Sequence, residues 1–285
     1  FTDFEKEIYQ GKIVFAKNPN EYINDSQRGR AEEFYKHLYE TFGEEKFENL
    51  LKEPKSKEYK NPLDSIPLAT SKNFGDYDER RKNLLKQGEK WFFKRAKKWL
   101  EYKRIPELDL KKVKVVFPEG KEFKFGNTRL RFTQPLFHGI EFSRVGWVFS
   151  TIIEYGKEKI IHSSDLNGPI IEDYAEWIVN ENPDVLFIDG PATYMIPYTL
   201  NLINFRRTLK NLEAIVRSVK SKIIFLDHHL TRDLRFRLRL EPIYSIAREN
   251  KVKIKTFAEW FNKVPIAEKL FQEKQEKKKN SKHKY

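Results

Sequence analysis

Hydrophobic and polar positions change rhythm about one third of the way along the chain. From Ser26 to Lys52 apolar residues recur at helical spacing, with Ala31, Phe34, Tyr35, Leu38 and Tyr39 on one side and charges between them. A second helical run, Asp78–Lys103, places Trp91, Arg95 and Trp99 on one face. Between them, residues 53–78 carry Pro54, Pro62, Pro67 and Gly75 and read as loop. A short charged helix and a buried strand, Lys12–Ala16, precede this block, and Asn18-Pro19-Asn20 marks a turn. The block from about residue 26 to 104 therefore predicts a helical excursion from a sheet.

After Pro106 the period shortens. Val113–Phe117, Glu122–Phe125, Thr128–Thr133, Gly146–Tyr155 and Lys159–His162 read as strands, separated by turns such as Glu119-Gly120 and Gly126-Asn127. Helices follow at Ile171–Asn180, Asn201–Lys220 and Ile243–Asn250, alternating with the apolar strands Val185–Ile188 and Lys222–Leu226 and with Val252–Thr256. A last helix starts near Phe257. Strands that are apolar throughout, alternating with helices, predict an α/β fold with parallel strands. One domain over 1–268 is expected, with a basic, disordered tail over 269–285 because that stretch is Lys-rich and lacks an apolar face.

Composition narrows the chemistry. Among 285 residues there are 55 Lys+Arg against 42 Asp+Glu, a formal charge of +13, and no Cys. Disulfides, thiolate nucleophiles and Cys-ligated metals are excluded, so any metal must be held by His, Asp and Glu. No apolar run approaches a membrane span. Phe1 opens a charged stretch rather than an apolar leader, and a reducing, cytoplasmic setting is expected. The chain begins without Met, so a trimmed or partial chain is expected. The single Met and abundant Lys and Glu point to a thermophile. A net positive charge favours polyanionic partners through counterion release, although a solvated Lys-rich surface would give the same tally.

Candidate ligands gather at the carboxyl ends of predicted strands, where α/β sheets place their sites. His138 follows Thr128–Thr133, Asp165 follows Lys159–His162, Asp189 follows Val185–Ile188, and His228 and His229 follow Lys222–Leu226. Each alone reads more readily as a capping or turn residue than as a ligand. Together, the order His138, Asp165, His228 on successive strand ends points to a metal site of oxygen and nitrogen donors. His162, within a strand, is assigned to core packing.

The residues Gly126–Asp165, with His138-Gly139 and a hairpin ending in Ser164-Asp165, resemble the central part of the metallo-β-lactamase fold superfamily. Asp184–Tyr194 (DVLFIDGPATY) and Leu226–Arg232 (LDHHLTR) are similar to the strand and last His motif that follow in its tRNA-processing and phosphodiesterase branches. The segment NPNEYINDSQRGR (residues 18–30) fits an archaeal branch of predicted metallo-hydrolases. The resemblance implies an αββα sandwich with a helical insertion. The superfamily's His-x-His-x-Asp-His signature is absent from these residues; in that fold it lies with the N-terminal strands, upstream of Phe1, so the expectation is either a preceding segment that carries it or a chain that forms only part of the site.

The same resemblance implies metal-assisted hydrolysis by a hydroxide shared between two zinc ions, with manganese or iron as alternatives. Asp165 would bridge the ions and act with His228 in catalysis, while His138 and His228 complete the two shells, His229 being the alternative to His228. Asp189 or Asp227 would orient a ligating imidazole. Thr231 and Arg232 directly follow the last His, where a guanidinium can pair with a phosphate. The expected substrate is thus a phosphoester or nucleic acid, or a phosphorylated small molecule. A non-catalytic nucleic-acid-binding or scaffold protein and a small-molecule esterase or thioesterase are the alternatives. Arg235, Arg237 and Arg239, alternating with Phe236 and Leu238, read as a strand-like basic face.

Overall fold

A computed structural model describes residues 3–43 and 46–282 of the chain. The architecture is mixed α/β, as the alternation of elements predicts, but the chain divides into two compact units where one domain is expected. Among the described residues, buried apolar side chains cluster within each unit: Tyr35, Leu38 and Val115 in the first, and Ile161, Leu186 and Ile224 in the second.

The first unit comprises Phe1–Ser65, Gly75–Phe123 and Arg131–Phe149. Its sheet runs Lys12–Phe15, Val113–Val116, Leu108–Leu110, the first pair parallel and the second antiparallel. The helical block leads from Lys12–Phe15 to Leu108–Leu110, the two strands that flank Val113–Val116, and forms the excursion anticipated from the sequence. Helix Asp25–Phe42 begins with a capping box between Asn24 and Gln27, satisfying two end N–H groups. It lays Tyr35, Leu38 and Tyr39 on Val113, Val115 and Leu108. Helix Asp78–Glu101 buries Phe92 and Trp99. Trp99 packs edge-on against Trp147 (5.3 Å between centroids), while Trp91 stacks on the same ring at 7°. The Trp99 indole N–H donates to the Ile23 carbonyl at 2.8 Å, so the ring is buried with its donor satisfied.

The second unit comprises Ile66–Phe74, Lys124–Leu130 and Ser150–Tyr285. Four strands, Lys253–Lys255, Ile223–Leu226, Val185–Ile188 and Glu158–His162, lie side by side and parallel in that order. Thr151–Tyr155 joins antiparallel to the last of them. The sheet order continues into the hairpin Glu122–Phe125/Thr128–Phe132, whose tip, Lys124–Leu130, belongs to this unit. Helices Glu172–Glu181, Leu202–Ser218 and Glu241–Glu249 connect the strands and bury Ile178, Leu212, Ile215 and Ile243 against Ile161, Leu186 and Ile224. All four residues of Ile223–Leu226 are buried, matching their unbroken apolar run. Among the described residues, no helix is long and apolar enough to cross a membrane.

Four local expectations change. The loop at 53–78 contains a helix, Pro67–Ser71, held to the second unit because the Asp173 carboxylate accepts from the Leu68 and Ala69 N–H groups at 2.9 and 2.8 Å. The stretch Gly146–Tyr155 splits into Trp147–Val148 and Thr151–Tyr155, since buried Ser150 turns its hydroxyl to the Ser163 carbonyl at 2.6 Å. Phe236–Arg239 is a helical turn rather than a strand, because buried Phe236 and Leu240 follow the helical period. The tail is helical over Ile266–Lys282, where a disordered tail is expected: its Lys, Glu and Gln residues are strong helix formers, and Glu268 pairs with Arg237. His283 and the last two residues lie outside the described residues.

Trp99→Ala removes the bulkiest fully buried ring on helix Asp78–Glu101 and is expected to destabilise the first unit by about 3–5 kcal/mol. Denaturant unfolding checks this; the exposed Leu84→Ala on the same helix is expected to cost under about 1 kcal/mol.

Candidate metal centre

Parallel strands deliver their carboxyl ends to one edge of the second unit's sheet, and the loops there are joined laterally by backbone. Ser163 N–H donates to the Phe187 carbonyl at 2.9 Å, Asp227 N–H to Ile188 at 3.1 Å, and His229 N–H to Asp189 at 3.1 Å. Gly190 carries φ +68°, and a Cβ there would lie 2.7 Å from Leu230 Cβ, so only glycine lets these two loops approach. Ser164, Asn167 and His228 hold left-handed φ values of 58°, 55° and 56°. Such residues persist where surrounding contacts over-determine them, and they cluster at functional sites.

At the centre is Asp189, a buried carboxylate. One oxygen accepts from the Asn167 N–H at 2.9 Å and lies 3.0 Å from His229 Nδ1; the other accepts from the Gly168 N–H at 3.3 Å. Burial raises its pKa above the ordinary carboxylate value, and the His229 hydrogen bond opposes that rise. The 3.0 Å spacing fits an imidazole that donates from Nδ1 to the carboxylate, a tautomer in which Nε2 is an acceptor. This is the carboxylate–imidazole arrangement that orients metal-binding histidines. A ring nitrogen of His229 and a carboxylate oxygen of Asp165 lie within 4.8 Å of one another. His228 places Nε2 3.8 Å from Asp165 Oδ1 and is half exposed.

The cleft beside these groups has a volume of about 400 Å3 and is lined by Asp165, Asp189, His228, His162, Phe225 and Phe257. Its aromatic wall is a stack: Phe225 lies 4.8 Å from both Phe187 and Phe257, with interplanar angles of 8° and 11°.

Several sequence assignments shift. His162 is not a core residue: strand alternation buries Ile161 and turns His162 out into the cleft. Its Nδ1 accepts from the Ser164 N–H at 3.3 Å. Although the side chain reaches solvent, desolvation by the cleft walls lowers its pKa, against the pull of Asp165 and Asp189. Its position at a strand's carboxyl end, one residue beyond a buried isoleucine, was the available signal.

Of the two carboxylates expected to orient an imidazole, Asp189 is the one that meets a histidine ring nitrogen. Asp227 instead braces its own loop, accepting from His228 N–H (2.8 Å), the Thr231 hydroxyl (3.1 Å) and Phe257 N–H (2.6 Å). That bond turns the Thr231 hydroxyl inward, whereas Arg232 is exposed, 3.3 Å from the Tyr194 hydroxyl. His138 follows strand Leu136–Phe137 in the first unit, where its N–H donates to the Gly146 carbonyl at 3.2 Å. Carboxylates and imidazoles without thiolate suit zinc, manganese or iron, and the oriented His229 beside Asp165 fits such an ion.

Geometry therefore defines an α/β unit with a His/Asp cleft at its parallel strand ends. No family model matches the chain. Its sequence is similar to UPF0282 proteins of archaea: 40% identical to one from Methanopyrus kandleri over 140 residues, 49% of this chain and 47% of that one. A UPF0282 protein of Korarchaeum cryptofilum is 28% identical over 257 residues (90% and 61%), and one of Methanocaldococcus jannaschii 27% over 247 residues (87% and 60%). The chain thus spans about half to three fifths of the length of these curated relatives. Their archaeal and thermophilic sources agree with the affinities read from the composition.

His229→Ala is expected to lower zinc affinity by more than His228→Ala, the reverse of the order the sequence suggests. A competition titration with a zinc chelator checks it. Asp189→Asn is expected to weaken zinc binding about 10–100-fold while His229 remains in place; unchanged affinity would remove its orienting role.

Proposed function

We propose that the chain belongs to a metal-dependent hydrolase of the metallo-β-lactamase superfamily, acting on a phosphoester or nucleic-acid substrate in the cytoplasm. The single observation that carries this reading is the buried Asp189 hydrogen-bonded to His229 beside Asp165, at adjoining strand ends. Asp165 and His229 would hold the ion, and His228, close to the same carboxylate, would hold or exchange with a second. When bound, such an ion supplies Lewis acidity and brings the pKa of coordinated water toward neutrality.

The chain's own residues would do the remainder. Asp189 keeps the His229 proton on Nδ1, and the stacked phenylalanines exclude water from one wall. Exposed Arg232 can meet a phosphate, as a guanidinium does bidentately. The sequence order adds His138 as a further donor. The reading of a broad basic face loses support, because Arg237 pairs with Glu259 and Glu268, and Arg239 with Asp233. Preference for phosphate therefore rests on Arg232 and on the net charge of +13.

The intact protein, loaded with zinc or manganese, is expected to cleave bis-p-nitrophenyl phosphate faster than p-nitrophenyl acetate. Asp165→Asn is expected to lose both bound metal, by elemental analysis, and at least about 100-fold in kcat/KM. Full metal retention with unchanged turnover in Asp165→Asn would contradict the reading, and faster acetate cleavage would favour an esterase.

A further inference from the structure

The second unit holds another concavity, of about 620 Å3, that shares no lining residue with the His/Asp cleft. It lies between residues 72–74 and the first half of helix Leu202–Ser218. One wall is a buried ion pair: Arg207 donates to both oxygens of Glu172 at 2.7 and 3.1 Å, with the two side chains 4% and 9% exposed. Arg207 also donates to Asn204 at 3.2 Å and sits 5.4 Å over the Phe74 ring. Its charge is thus spent on Glu172, so with Phe74 it makes a locally neutral platform.

Three further cations, Lys72, Arg206 and Lys210, line the same cavity from exposed positions. Among the described residues none of them has a carboxylate within ion-pairing distance, in contrast to Arg217, Arg237 and Arg248, each paired with a glutamate. Arg206 and Lys210 stand four residues apart on the helix, a like-charge spacing that destabilises it. No acidic residue occupies that helix's first turn to offset them. Three uncompensated cations around a neutral platform make a site for an anion. The volume exceeds that of a bare phosphate and falls within the range of small-molecule sites.

We propose that this cavity binds a nucleoside phosphate, with Lys72, Arg206 and Lys210 on the phosphate oxygens and the half-buried Phe74 ring against the base. Calorimetric titration of the intact protein in EDTA, which keeps any metal-dependent step out of the readout, tests it with ATP, pyrophosphate and adenosine as probes. ATP is expected to bind more tightly than pyrophosphate, adenosine not at all, and ATP affinity to fall as salt rises. The double variant Arg206→Ala/Lys210→Ala, at two surface positions, is expected to lose at least about tenfold in ATP affinity, each lost charge-assisted contact being worth roughly that factor. Phe74→Leu is expected to weaken ATP binding and leave pyrophosphate unchanged. No ATP binding at millimolar concentration, or full affinity in the double variant, would overturn the proposal. ATP binding no tighter than pyrophosphate would overturn the assignment of a nucleoside.

Discussion

A buried carboxylate must find hydrogen-bond partners, and at Asp189 that requirement organises the whole site edge of the second unit. Leaving a buried charge or acceptor unpaired is expensive. Asp189 therefore draws in the N–H groups of Asn167 and Gly168 from one loop and the His229 ring from another. Asp165 is carried on the first of those loops and His228 on the second, so the bonds that tie the two loops to Asp189 also set their approach to 3.8 Å. Left-handed backbone at Ser164, Asn167 and His228 is sustained by the same web of bonds.

Much of the second unit was legible in the sequence because its strands Val185–Ile188 and Ile223–Leu226 are apolar throughout and its helices have a single period. Val185–Ile188 emerged with its bounds unchanged. The strand-end rule also gathered Asp165, Asp189, His228 and His229 without any geometry. What pattern alone left open was direction. Asp227 and Asp189 each follow a buried strand, and only the loop's path shows that Phe257 and Thr231 claim the first while His229 claims the second. His162 was misread because an imidazole among isoleucines looks like core until strand alternation is anchored on Ile161.

Charge was the least legible feature. A formal +13 suggests a continuous basic surface, and Arg235–Arg239 looked like part of one. Folding instead sets Arg237 and Arg239 against carboxylates distant or near in sequence, whereas Lys72, Arg206 and Lys210, unremarkable in the sequence, converge on one cavity. Partition into two units was equally hidden, since residues 66–74 sit amid the helical block in sequence yet belong with Asp173.

The central claim is that Asp189 fixes the His229 tautomer and so leaves Nε2 to a metal. The most direct measurement is long-range proton–nitrogen correlation NMR on the imidazole side chains of the 15N-labelled protein, before and after adding zinc. The account predicts a neutral His229 protonated at Nδ1, with a large change confined to Nε2 when zinc is added. A His229 protonated at Nε2, or ring nitrogens that zinc leaves unmoved, would contradict it.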